Sequence, residues 1–168
     1  MPLVPIQNLP DESRTWVFGA NHTLSEKQSQ ELMPEVDRFL ASWNAHGAPL
    51  TVGRDLKYGR FLTVAVDQST AGASGCSIDG LFRTLKSLEP KLGASLVTSG
   101  LIFFRDKNGS IQSVDRSTFT QLGADGQIAR DTKVFDPTVT TLREWRARFE
   151  LPLRDSWHAK LIAQNQPA

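Results

Sequence analysis

The chain has 168 residues, a net charge of +1 and one cysteine, with 39% hydrophobic and 22% charged residues. That length suits one domain with a modest extension, and the composition supports a buried core rather than a disordered chain. A charge so near zero excludes an overall field that recruits nucleic acid or acidic membrane, and one cysteine excludes an internal disulfide, so a reducing, cytoplasmic setting is expected.

Residues 1–14 carry three prolines and little periodicity. They read as an irregular lead-in, without the basic and apolar regions of a signal peptide. TWVFG, residues 15–19, has the aromatic and β-branched content of a first strand. Ser25 and Gln28 stand at capping-box spacing, and Leu32, Val36, Phe39, Leu40 and Trp43 follow at helical intervals. Pro34 must kink this helix or restart it, and His46-Gly47 is its expected end.

Two strands are expected over residues 50–56 and 60–66, joined by the tight turn Lys57-Tyr58-Gly59. The second, RFLTVAV, is apolar on both faces and reads as a central strand. It holds the longest apolar run, far too short to span a bilayer. A second helix is expected over residues 77–89, with Ile78, Leu81, Phe82, Leu85 and Leu88 inward and Pro90 and Gly93 as stops. GLIFFR then reads as a strand, Asp106 to Gly109 as a turn, and residues 110–114 as its partner.

Beyond residue 115 the pattern predicts a short strand over 132–135. A helix should open at Asp136-Pro137, with Val139, Leu142 and Trp145 inward, and a last helix should include Trp157, Leu161 and Ile162. The order strand, helix, strand, strand, helix, strand is that of a ferredoxin-like βαββαβ sheet. The expected fold is therefore α+β: one domain over 15–168, with its core in 15–115 and a C-terminal extension over 116–168 holding a strand and two helices.

The stretch GASGCSID, residues 72–79, superficially resembles a phosphate-binding loop. Such a loop needs glycine, lysine and a hydroxyl residue where this chain has Ser77, Ile78 and Asp79, so ATP hydrolysis is rejected. Two other readings remain. Cys76 precedes a helix, where free amides and the dipole favour a thiolate, and the expected topology brings His46 and Asp67 to the same side as base and orienting group. Arg14 could add positive charge there. The same loop, through Gly72, Ser74, Gly75 and Ser77, could bind an anion without hydrolysing it. Against both stands a plain structural account: Ser77 as an N-cap, Asp79 as a first-turn acid, His46 as a C-terminal histidine and Cys76 as filler.

VDQS and ASGCSID, with WNAHG upstream and KVFDPTVTTLREW and LPLRDSWH downstream, resemble a family of small bacterial proteins of about this length. The resemblance covers nearly the whole chain. Members often carry the label "ABC transporter ATPase", which the missing lysine contradicts here. The resemblance implies no activity and carries no site residue to this chain.

Three histidines and one cysteine show no metal-ligand spacing, so no metal or cofactor is expected. Arg143, Arg146 and Arg148 with Trp145 could suggest a nucleic-acid surface, but Trp145 shares its face with Leu142 and Glu144 stands four residues before Arg148. A solvated charged face is the expectation, and the four tryptophans read as core. The function expected is that of a non-catalytic domain acting through a protein partner or a homo-oligomer, with no nucleic acid and no membrane. A thiol enzyme or redox sensor using Cys76, and an anion-binding loop, are the alternatives.

Overall fold

The computed structural model describes residues 3–69 and 72–163. In chain order these form β1 (Arg14–Gly19), α1 (Glu26–Ala41), β2 (Asn44–Ala45), β3 (Ala48–Pro49), β4 (Thr51–Lys57), β5 (Phe61–Asp67) and α2 (Gly75–Leu92). There follow β6 (Ile102–Arg105), β7 (Ile111–Val114), α3 (Arg116–Ala124), β8 (Lys133–Phe135), α4 (Leu142–Arg148), β9 (Glu150–Pro152) and α5 (Ala159–Ala163), with 3-10 turns at Ile6–Asn8 and Leu153–Asp155. The fold is α+β with antiparallel sheets. No helix among the described residues is long and apolar enough to cross a membrane.

The chain divides into two compact units, Met1–Thr98 with Pro137–Ala147, and Ser99–Asp136 with Arg148–Ala168. The boundary expected between residues 115 and 116 falls inside the second unit.

In the first unit, a sheet of order β1-β5-β4 carries α1 and α2 on one face. Leu62, Val64 and Val66 of β5 pack there with Leu32, Val36 and Leu40 of α1 and Leu81 and Leu85 of α2. β5 is buried because both neighbours pair along its length and both of its faces are covered. On the opposite face Ala65 packs with Ile6, Leu9 and Leu142. Residues 3–13 are therefore not an irregular lead-in. Val4 N–H donates to Val52 O at 2.8 Å, and the turn at Ile6–Asn8 lies so close to Gly53 that a Cβ there would stand 2.8 Å from Ile6 Cα.

Several expected boundaries move. Pro34 does not restart α1, which runs unbroken from Glu26 to Ala41; the carbonyl it leaves without an amide belongs to the exposed Gln30. Pro90 is tolerated in α2 in the same way, beside exposed Lys86. α1 ends at Ala41, capped by Ser42, and His46-Gly47 is instead the positive-φ turn of the β2–β3 hairpin. Asp136-Pro137 does not open a helix. α4 starts at Leu142, where Thr141 and Glu144 exchange the two hydrogen bonds of a capping box.

The strand expected as the fourth of the ferredoxin-like sheet, β6, pairs with β7 and β8 instead of β1. It belongs to the second unit's sheet, of order β7-β6-β8-β9. Phe104, Val134, Phe119 of α3, Leu153 and Ile162 make that unit's core. α3, capped by Asp115 accepting from Thr118 N–H at 2.7 Å, was not expected, because RSTFTQLGA has only a short apolar stripe.

Candidate functional site

The start of α2 is closed on itself. Ser74, not Ser77, is the N-cap: its Oγ accepts from Ser77 N–H at 3.1 Å, and Ser77 Oγ accepts from Ser74 N–H at 2.7 Å. Two of the amides an anion would use are thus already satisfied by side chains. Ser77 is buried, and its carbonyl accepts the indole N–H of Trp43 at 2.7 Å. A Cβ at Gly75 would meet nothing within 4 Å and the φ of neither Gly72 nor Gly75 is positive, so the glycines are not forced by the backbone.

Cys76 is exposed in the first turn of α2. His46 is exposed at the tip of the β2–β3 hairpin, and Asp67 closes β5, accepting from the amide and hydroxyl of Ser69 at 2.9 and 2.6 Å. The register sets Asp67 opposite Thr51 and Arg14 opposite Val66, so β5 ends where β1 begins, and the Trp43–Ser77 bond ties the hairpin's root to the helix start. No hydrogen bond or ion pair joins Cys76, His46 and Asp67 among the described residues. The nucleophile, base and orienter of the thiol reading are thus not assembled.

A different site lies along β1. The odd-numbered residues of β1 turn their backbone groups away from β5. Ser13 O accepts from Leu142 N–H, Thr15 N–H donates to Thr140 O, both at 2.9 Å, and Gly19 O accepts from Thr98 Oγ1 at 2.9 Å. Between these closures, Thr15 C=O, Val17 N–H, Val17 C=O and Gly19 N–H have no hydrogen-bond partner among the described residues. They face a groove of about 300 Å³, floored by Phe18 and Phe82 and walled by residues 96–98 and 137–140. Arg14 lies at its end with the guanidinium 4.8 Å from the Trp16 ring centroid. It has no ion-pair partner among the described residues. The wall at 96–98 is held from behind: Glu89 accepts from Leu96 and Val97 N–H at 2.8 and 2.9 Å. Those two bonds and Lys86 outweigh the burial that would raise the Glu89 carboxyl, and its pKa falls below the usual value.

Of the arginines expected as a charged face, Arg143 and Arg146 are engaged within the same unit. Arg143 pairs with Glu12 and Arg146 with Asp11, both at 2.7 Å, which fastens α4 to the N-terminal segment. In the second unit, His158 is buried, stacked 3.9 Å from the Trp157 ring, with Nδ1 2.6 Å from Ser156 Oγ. Burial lowers its pKa from 6.5 to about 4, against the pull of Asp136 and with a push from Arg116. The imidazole is therefore neutral at neutral pH. Sequence reading passed over this pair because the signal is a bare S-x-H. Ser156 Oγ also receives the His158 amide, so the pair closes the turn that leads into α5.

Among the described residues no group of three or more histidine, cysteine, aspartate or glutamate side chains could hold a metal ion. No protein-family model, curated protein or solved structure matches the chain.

Proposed function

We propose that this chain is a non-catalytic cytoplasmic domain that works through protein–protein contacts, built on a ferredoxin-like core whose fourth-strand position is open. The observation that carries the reading is the pair of unfinished sheet edges. On β4, Val52 O accepts from the N-terminal segment, and the next outward-facing groups, those of Arg54 and Leu56, have no backbone partner among the described residues. On β1 the groups around Val17 are likewise open. Unpaired sheet edges are templates for another chain, whether a second copy or a different protein. Arg54, Asp55 and Lys57 place charge on the β4 edge, which guards it against indiscriminate pairing. The absence of hydrogen bonds among Cys76, His46 and Asp67 weighs against the thiol reading, and the self-capped start of α2 weighs against the anion reading.

The test has two parts on the intact chain. Alkylation of Cys76 should run no faster in the folded than in the unfolded protein; a much faster folded-state reaction would revive the thiol enzyme. Sedimentation should detect association that weakens in Leu56→Pro, which removes an outward N–H of β4 without touching the ladder to β5. Association indifferent to that substitution would sink the edge reading.

A further inference from the structure

The slot along β1 has a shape and a polarity that a particular kind of partner fits. Thr15 C=O, Val17 N–H, Val17 C=O and Gly19 N–H form the repeating acceptor and donor series of a strand edge. A ferredoxin-like sheet would fill this place with the strand that follows α2. Here the chain reaches the edge at Thr98, gives one side-chain hydrogen bond to Gly19 O, and continues into β6 and the other sheet. The floor is aromatic and supplies burial for one or two side chains of an incoming strand, through Phe18 and Phe82.

At the Arg14 end the slot is shut. Thr140 occupies the edge at Thr15 and Thr98 Oγ1 holds Gly19 O, so a segment laid antiparallel to β1 pairs with Val17 between these two closures and has to stop at Thr15. The group that would meet its last residue is the Arg14 guanidinium, stacked on Trp16 and without an acid. The groove lining contains no aspartate or glutamate. A planar guanidinium fits a carboxylate bidentately, and the charge is otherwise unanswered.

We infer that the β1 slot binds the C-terminal end of an extended peptide from a partner protein, added antiparallel to β1, with its terminal carboxylate on Arg14. This inference rests on the protein-contact reading above and names the partner's chemistry. The peptide's backbone supplies affinity through the Val17 groups, and its free carboxylate supplies selection.

The experiment is calorimetric titration of the full chain with an acetylated hexapeptide of alternating threonine and valine ending in a free carboxylate. Its amidated twin and a backbone N-methylated twin are titrated alongside. The free acid should bind at least tenfold more tightly than the amide, and N-methylation of the central residues should abolish binding. In Arg14→Gln the advantage of the acid over the amide should vanish, while Arg14→Lys should keep part of it. Equal binding of acid and amide, or no binding at millimolar peptide, would overturn the inference. So would self-association of the chain that disappears in Arg14→Gln, since the occupant would then be a second copy. A fast folded-state Cys76 thiol defeats the proposed function whatever the peptide does, whereas a slow thiol without peptide binding defeats only this inference.

Discussion

Acidification should unfasten the second unit through His158. The imidazole is neutral in the fold because burial lowers its pKa from 6.5 to about 4. The unfolded chain therefore takes up a proton first, at about 6.5, and the folded chain resists until about 4. Stability from this group is complete above the unfolded pKa, falls as pH drops through the interval, and is flat again below it. At about 1.4 kcal/mol per pH unit, the loss between pH 7.5 and 4 has a ceiling of about 3 kcal/mol. Urea unfolding followed by the Trp157 indole N–H resonance, with His158→Gln as control, isolates the effect. Glutamine can still hydrogen-bond Ser156 but does not titrate, and the carboxylates cancel in the difference between the two profiles. The difference should shrink steadily from pH 6.5 downward, and the His158 ring resonances should titrate near 4. A ring midpoint near 6.5, or identical slopes in the two proteins, would refute the reasoning.

Two further substitutions test the walls of the first unit. Gly53→Ala places a Cβ 2.8 Å from Ile6 Cα and 3.0 Å from Leu9 Cδ1, and the nearer atom is backbone that cannot swing aside. Overpacking of this kind costs about 1–3 kcal/mol, read as a lower urea midpoint; an unchanged midpoint would show that the N-terminal turn does not pack on β4. Glu89→Ala orphans the amides of Leu96 and Val97, which should cost about 1–3 kcal/mol and speed hydrogen exchange of both. Retention of slow exchange at residues 96–98 would mean that Glu89 does not hold the groove wall.

The legible parts of this fold were those with local, periodic signals. The capping box of Ser25, the apolar stripe of α1, the run RFLTVAV and the Asp106–Gly109 turn each report on neighbours a few residues away. The misread parts depended on partners far along the chain. Residues 1–14 show little periodicity, yet Ile6 and Leu9 within them are buried with Leu142. GLIFFR was correctly read as a strand, but nothing in six residues says which sheet receives it. Asp136-Pro137 carries the residue types of a helix start, yet the helix opens further on, behind the capping box of Thr141 and Glu144. At the candidate sites, Cys76 and Ser74 could be nominated from residue type. The β1 slot could not, since an unpaired backbone leaves no trace in side-chain identity.

The division of the chain also constrains its birth. Leu142 and Trp145 belong to the packing around Ile6, Leu9 and Ala65, and Thr140 completes the start of β1. A ribosome emitting roughly 5–20 residues per second needs several seconds to travel from Thr98 to Ala147. Through that interval the nascent first unit holds Ile6, Leu9 and Ala65 bare of Leu142 and Trp145, while the first stretch of the second unit emerges in between. Vectorial synthesis therefore does not finish one unit before starting the next. A polypeptide cut after Thr98 would carry that bare face permanently, which makes chaperone dependence and aggregation of such a fragment the expected behaviour.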